Sequence, residues 1–185
     1  MQNQAIKPST IFPNTSARLF RQFEVGAVAD LKAKKMTPEE FATKFNALDG
    51  KVKVTPAMVP VATDAARTMV EMGDAARAQS VLKPLVETNG VTASSTAYMF
   101  IALNYAALAE TNGDNDEAIR VLESYTKSGH KVMLAKAYLD LGRLYLAKGD
   151  QAKAKTNLDY IVANYPNDEL AKLARLYLQK LTATP

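Results

Sequence analysis

"YLDLGRLYLAKGDQAKAKTNLDYIVANYP", residues 138–166, decides the fold. It holds two stretches with apolar residues at helical spacing, Tyr138-Leu141-Tyr145 and Ala154-Leu158-Ile161, parted by Gly149-Asp150. A glycine ends a helix at a positive φ with little steric cost, and an aspartate caps the start of the next. The stretch therefore predicts two helices folded back on each other. The same punctuation stands at "EMGDAARA" (71–78) and "TNGDNDEA" (111–118), each time followed by an alanine at one offset: Ala78, Ala118 and Ala154. A small residue a turn past the cap lets two helix backbones approach. Gly73, Gly113 and Gly149 lie 40 and 36 residues apart, a period that predicts a stack of helix–turn–helix units. The second helices are expected at about 75–88, 115–127 and 151–164.

Working outward, residues 1–14 are polar, contain Pro8 and Pro13, and read as a flexible leader. An amphipathic helix is expected over Ser16–Lys35, with Leu19, Phe20, Phe23, Ala27, Val28 and Leu31 on its apolar stripe. Thr37, Pro38 and Glu40 then spell a capping box with proline at the first helical position, and Met36 and Phe41 flank it as a hydrophobic staple. Phe41, Phe45 and Leu48 form the buried side of that helix, and Gly50 is expected to end it. "KVKV" at 51–54 has no partner run and reads as a connector. Thr55-Pro56 open the next helix, whose start Pro60 makes irregular. Pro84 is expected to bend the helix that contains it.

The positions Tyr138, Leu141, Gly142, Tyr145, Ala154, Leu158 and Pro166 resemble the tetratricopeptide repeat pattern, with tyrosine in place of tryptophan and leucine in place of phenylalanine. In the middle unit the register runs either through Tyr98, Ile101, Ala102 and Tyr105 or, one turn later, through Ala102, Tyr105, Ala106 and Ala109. In the first unit Ala62, Ala65, Ala66 and Met69 stand at these places. "LAKLARLYLQKL" after Pro166 repeats the spacing through Leu170, Leu173, Ala174 and Tyr177 and looks like a capping helix. The resemblance implies an all-α, right-handed superhelical α-solenoid of about three helix hairpins. Its parts are a leader (1–14), an N-terminal helical pair (15–50), repeats at about 55–90, 94–130 and 134–166, and a capping helix at 168–181. The style of "NYPNDELAKLARLYL" is similar to bacterial cell-envelope members of the superfamily.

Composition narrows the chemistry. The chain has no cysteine, so thiolate catalysis and zinc–cysteine sites are excluded. Its one histidine, His130, reads as a surface residue of a loop between units. "NGDND" at 112–116 lacks the glutamate of a calcium loop and is accounted for by the turn. No phosphate-binding or nucleophile-elbow motif is present. Net charge is +4 with both signs interspersed, and Lys32, Lys34 and Lys35 suit a helix C-terminus. The tyrosines fall on packing positions, which argues against a nucleic-acid stacking surface. No apolar run reaches membrane-spanning length. If Met1 begins the natural chain the protein is cytoplasmic; with a trimmed signal or anchor it is periplasmic.

The expectation is a non-enzymatic interaction module, without metal or cofactor, whose partner is another protein's peptide or helix. The inner curve of such a solenoid is lined by the first helix of each pair. Residues there that miss the packing positions are Thr63, Arg67, Asn104, Lys136, Leu139, Arg143 and Leu146. Arg67 and Arg143 would meet a peptide carboxylate or carbonyls, and Leu139 and Leu146 would accept apolar side chains. Leu139 stands where a carboxylate-clamping subtype needs a lysine. A self-assembling homodimer, built on the side bearing Leu19, Phe20 and Phe23, is the alternative. An enzyme of unrecognised chemistry and a nucleic-acid binder are the distant ones.

Overall fold

The computed structural model describes residues 22–48, 58–87 and 96–183. The leader, Leu19, Phe20, Gly50 and Thr55-Pro56 lie outside them. A π-helical turn, Gln22–Ala27, runs into α1 (Val28–Lys32), followed by α2 (Pro38–Asn46). Three hairpins follow: α3 (Met58–Glu71) with α4 (Ala75–Glu87), α5 (Thr96–Thr111) with α6 (Asn115–Lys127), and α7 (Leu134–Ala147) with α8 (Gln151–Asn164). Helix α9 (Glu169–Ala183) closes the series. Among the described residues there is no strand.

Each Gly-Asp turn is built the same way. Gly73, Gly113 and Gly149 take φ of +83°, +82° and +77°. The next amide, of Asp74, Asp114 or Asp150, reaches back five residues to the carbonyl of Met69, Ala109 or Tyr145, while the glycine amide bonds three residues back. This is the Schellman closure. The same aspartates cap the following helix, accepting from the amides of Arg77, Glu117 and Lys153. One residue thus ends one helix and begins the next.

Consecutive helices pack along the whole series from α3 to α9, the second helix of each hairpin lying on the first helix of the next. Ala78, Ala118 and Ala154 are fully buried. A Cβ built on Gly142 would sit 2.8 Å from Cγ of Leu158, so the α7–α8 crossing needs the glycine. In the middle hairpin the turn fixes the register: Ala102, Tyr105, Ala106 and Ala109 stand where Tyr138, Leu141, Gly142 and Tyr145 do in the last, and all four are buried. Ile101 is buried as well, and α5 is the longer helix, 16 residues against 14 in α7. The side chain of Tyr98 is outside the described set.

The N-terminal pair packs differently. Helix α1 lies against α3 and α2 against α4, rather than second helix on next first helix. Phe23, Phe41 and Phe45 form its core, Phe23 meeting the other two edge-on at 5.7 and 6.0 Å between ring centres. The capping box is present: the Thr37 amide donates to Glu40 at 2.8 Å, and the Glu40 amide donates to the Thr37 hydroxyl. Three expectations are corrected here. Helix α1 stops at Lys32, not Lys35, because Lys34 takes φ +58° and Lys35 bonds back to the Asp30 carbonyl, a Schellman closure without glycine. Helix α2 ends at Asn46, before Gly50 is reached. Leu173 does not face the core; it is 39% exposed while Ala171 and Ala174 are buried against α7 and α8.

Gly142→Val should lower stability by about 2–3 kcal/mol in urea unfolding, because the added carbons must displace Leu158. Combined with Leu158→Ala, the loss should fall well short of the sum of the two single changes. Gly113→Ala, which meets only the φ penalty, should cost about 1 kcal/mol.

Candidate functional site

The spacing that ties the hairpins together also places rows of side chains along the inner curve. On α3 the row is Pro60, Asp64, Arg67 and Glu71; on α5 it is Phe100, Asn104, Ala107 and Thr111; on α7 it is Lys136, Asp140, Arg143 and Ala147. Each row follows helical spacing i, i+4, i+7, i+11, and none of its members is buried. Between α3 and α5 the rows border a cleft of about 570 Å³. Thr63, Asp64, Arg67 and Val70 form one wall, Asn104, Ala107 and Thr111 the other. Ala66, Leu82 and Leu108 lie at its floor.

The cleft brings together three of the sequence-predicted residues: Thr63, Arg67 and Asn104. The Thr63 hydroxyl donates to the Val59 carbonyl at 2.9 Å and the Asn104 amide to the Phe100 carbonyl at 2.7 Å. Arg67 donates to Asp64 at 2.6 Å and to Glu71 at 2.7 Å. Lys32 reaches Asp64 from α1 at 2.5 Å. Burial pushes the Asp64 carboxyl up, but hydrogen bonds from Lys32 and Arg67 more than offset it and hold the group below its usual range.

The other four residues, all on α7, do not line the cleft. Arg143 forms a bidentate pair with Glu110 of α5, with Nη2 2.7 Å from Oε2, and lies 3.6 Å from Asp140. Lys136 donates to Asp140 at 2.6 Å. Leu146 is half-buried. Leu139 is corrected: only 7% exposed, it packs with Leu158, Ala171 and Ala174 under α9, so the last crossing consumes the side chain that was expected to meet a ligand. Phe23, expected on a dimer surface, is 6% exposed and belongs to the core. His130 is half-buried rather than on the surface, its ring stacked on Tyr125 at 5.7 Å.

Asp64, Val70, Ala107 and Thr111 of the walls were missed as lining residues. The signal was available: Val70 lies seven residues after Thr63, and Ala107 stands at the repeat position of Arg67 and Arg143.

A second hollow, about 510 Å³, lies between α4 and α6. There the Tyr105 hydroxyl donates to Glu117 at 3.0 Å, and Arg120 grips the same carboxylate at 2.6 Å. Burial, with Glu117 beside it, pushes the Tyr105 hydroxyl up to about 12. Among the described residues no cluster of three or more histidines, aspartates or glutamates could hold a metal ion, and no helix is long and apolar enough to cross a membrane.

Residues 136–168 match the family model described as tetratricopeptide repeat. The chain also aligns with the crystal structure of MamA protein, with a TM-score of 0.53 and 16% sequence identity over 90% of each chain. At that identity the likeness is one of fold. No curated protein matches the sequence. The fold is that of a tetratricopeptide-like helical solenoid, with the repeat pattern strongest in the α7–α8 hairpin.

The Glu110–Arg143 pair yields a pH prediction. The hydrogen bond from Arg143 holds the Glu110 carboxyl below its usual range. Its stabilisation is therefore present above the unfolded carboxylate value of about 4.3 and is lost as pH falls through the lower folded value. Wild type should exceed Glu110→Gln by about 0.5–1 kcal/mol in urea unfolding near neutrality, and the gap should close under strong acid.

Proposed function

We propose that this chain is a non-enzymatic interaction module that docks a segment of another protein in the cleft between α3 and α5. The observation that carries this reading is the coincidence of two independent features. The inner rows fixed by the repeat spacing converge on a concavity of about 570 Å³, and its walls are exposed side chains of α3 and α5. Small or short side chains at Thr63, Asn104, Ala107 and Thr111 leave the two walls apart, so the floor of Ala66, Leu82 and Leu108 is reachable from outside. A concave apolar floor with a few polar groups on its rim is the usual form of a docking site, and helical-repeat proteins use their inner curve in this way. Groups able to act as a nucleophile–base pair do not converge in the cleft: its acid, Asp64, is held ionised between two cations.

Arg67 and Arg143, expected from the sequence to meet a ligand carboxylate, have structural duties here, so reversing their charges would disturb the fold as well as the cleft. Ala107→Arg is the better test. Position 107 is exposed, and the new side chain would fill the cleft without breaking an existing contact. Captured partners of wild type should be missing from Ala107→Arg yet retained by Lys155→Ala on the exposed part of α8. Identical partner sets for all three proteins would remove the cleft as the docking surface.

A further inference from the structure

The charges around the inner curve are arranged in a way that selects a partner. In the first hairpin Asp64 and Glu71 flank Arg67 on one row, and Lys32 completes the set from α1. In the last hairpin Asp140 sits between Lys136 and Arg143, and Glu110 completes that set from α5. Each set holds two cations and two anions, so each is neutral in itself. The middle hairpin differs. At the places of Asp64, Arg67 and Glu71 it carries Asn104, Ala107 and Thr111, and ahead of them Phe100, which is 55% exposed. On its α5 side the cleft is therefore uncharged, and the charges of its α3 wall, Asp64 and Arg67, are paired. Val70, 47% exposed, adds apolar surface on the facing wall.

A charged ligand gains little here. A carboxylate approaching Arg67 must compete with Asp64 at 2.6 Å and Glu71 at 2.7 Å, and a cation approaching Asp64 must compete with Lys32 and Arg67. Either would also lose its own hydration on entering the cleft. An uncharged apolar side chain loses neither, and it gains by covering Val70 and the floor. Complementarity to a surface whose described charges are all paired is itself a specificity device, because it rejects charged competitors.

From this we propose that the cleft takes an uncharged, apolar stretch of a partner polypeptide, anchored on Val70 and the floor of Ala66, Leu82 and Leu108, and discriminates against acidic and basic segments. The proposal rests on the docking reading above and names its ligand class. The first ion-pair set ties α1 to α3 and the second ties α5 to α7, and within each set the charges face one another rather than the incoming chain.

Three synthetic peptides test it on the full chain by fluorescence anisotropy. One is a leucine-, alanine- and serine-containing peptide blocked at both ends. The second is the same peptide with a free C-terminal carboxylate, and the third has lysine in place of its leucines. The blocked peptide should bind about tenfold or more tighter than either of the others, with an affinity that barely changes with salt. Val70→Ser, at an exposed position of the cleft wall, should weaken it about tenfold. The double variant Asp64→Asn, Glu71→Gln strips Arg67 of its carboxylates, and it should raise the affinity of the free-acid peptide relative to the blocked one. Equal or tighter binding of the free-acid or lysine peptide to wild type would overturn the ligand class while leaving the docking site standing. Binding by none of the three would remove the docking site itself.

Discussion

Everything in this molecule follows from how closely two helices approach within a hairpin. At the α7–α8 crossing there is no room for a single added carbon on Gly142, and the facing position is Ala154. The same pairing of small residues recurs as Ala66 with Ala78 and Ala106 with Ala118, all buried. Around these crossings the larger side chains, Met69, Leu82, Tyr105, Leu122 and Leu158, fill the core that the hairpins share. The rows of exposed side chains along the inner curve are what remains of each first helix after its buried positions are spoken for.

Charge plays a secondary, positional part. Most ion pairs lie within one helix at i,i+3 or i,i+4 spacing and contribute little each. A few cross between elements: Lys32–Asp64, Glu39–Arg77, Glu110–Arg143 and Asp116–Lys148. The first two tie the N-terminal pair to the first hairpin, and the last two tie the second hairpin to the third. The two that border the inner curve turn what would be a polar groove into a neutral one.

How much of this was legible in the sequence depended on whether a local residue type forced a local geometry. The Gly-Asp turns and the second helices after them were readable to within a residue, because glycine at positive φ and an aspartate cap leave few alternatives. The capping box at Thr37 was readable for the same reason. The end of α1 was not, because Lys34 takes the left-handed conformation that glycine usually supplies, and nothing in "KAKK" announces it. The register of the middle hairpin stayed open because its alanines satisfy two readings alike, and only the position of the turn decides between them. Of the expected groove residues, Thr63, Arg67 and Asn104 line the cleft, as their absence from the packing pattern suggested. Leu139 failed because a helix beyond the repeat, α9, covers it, and repeat spacing carries no information about what lies past the last unit. The pairing of Arg67 and Arg143 depends on partners three to 33 residues away, which spacing alone could not rank.

The shared aspartate of each turn has a bearing on how such a chain can vary. With the last closure of one helix and the first cap of the next vested in adjacent residues, the joint inside a hairpin has no slack. An insertion there would separate the Schellman closure from the cap and uncouple the two helices. The four-residue difference between the 40- and 36-residue periods is taken up outside these joints, two residues in the longer α5 and two in the link before it. The links between hairpins are the places where foreign sequence could be grafted, or a new epitope displayed, while the inner curve keeps its shape.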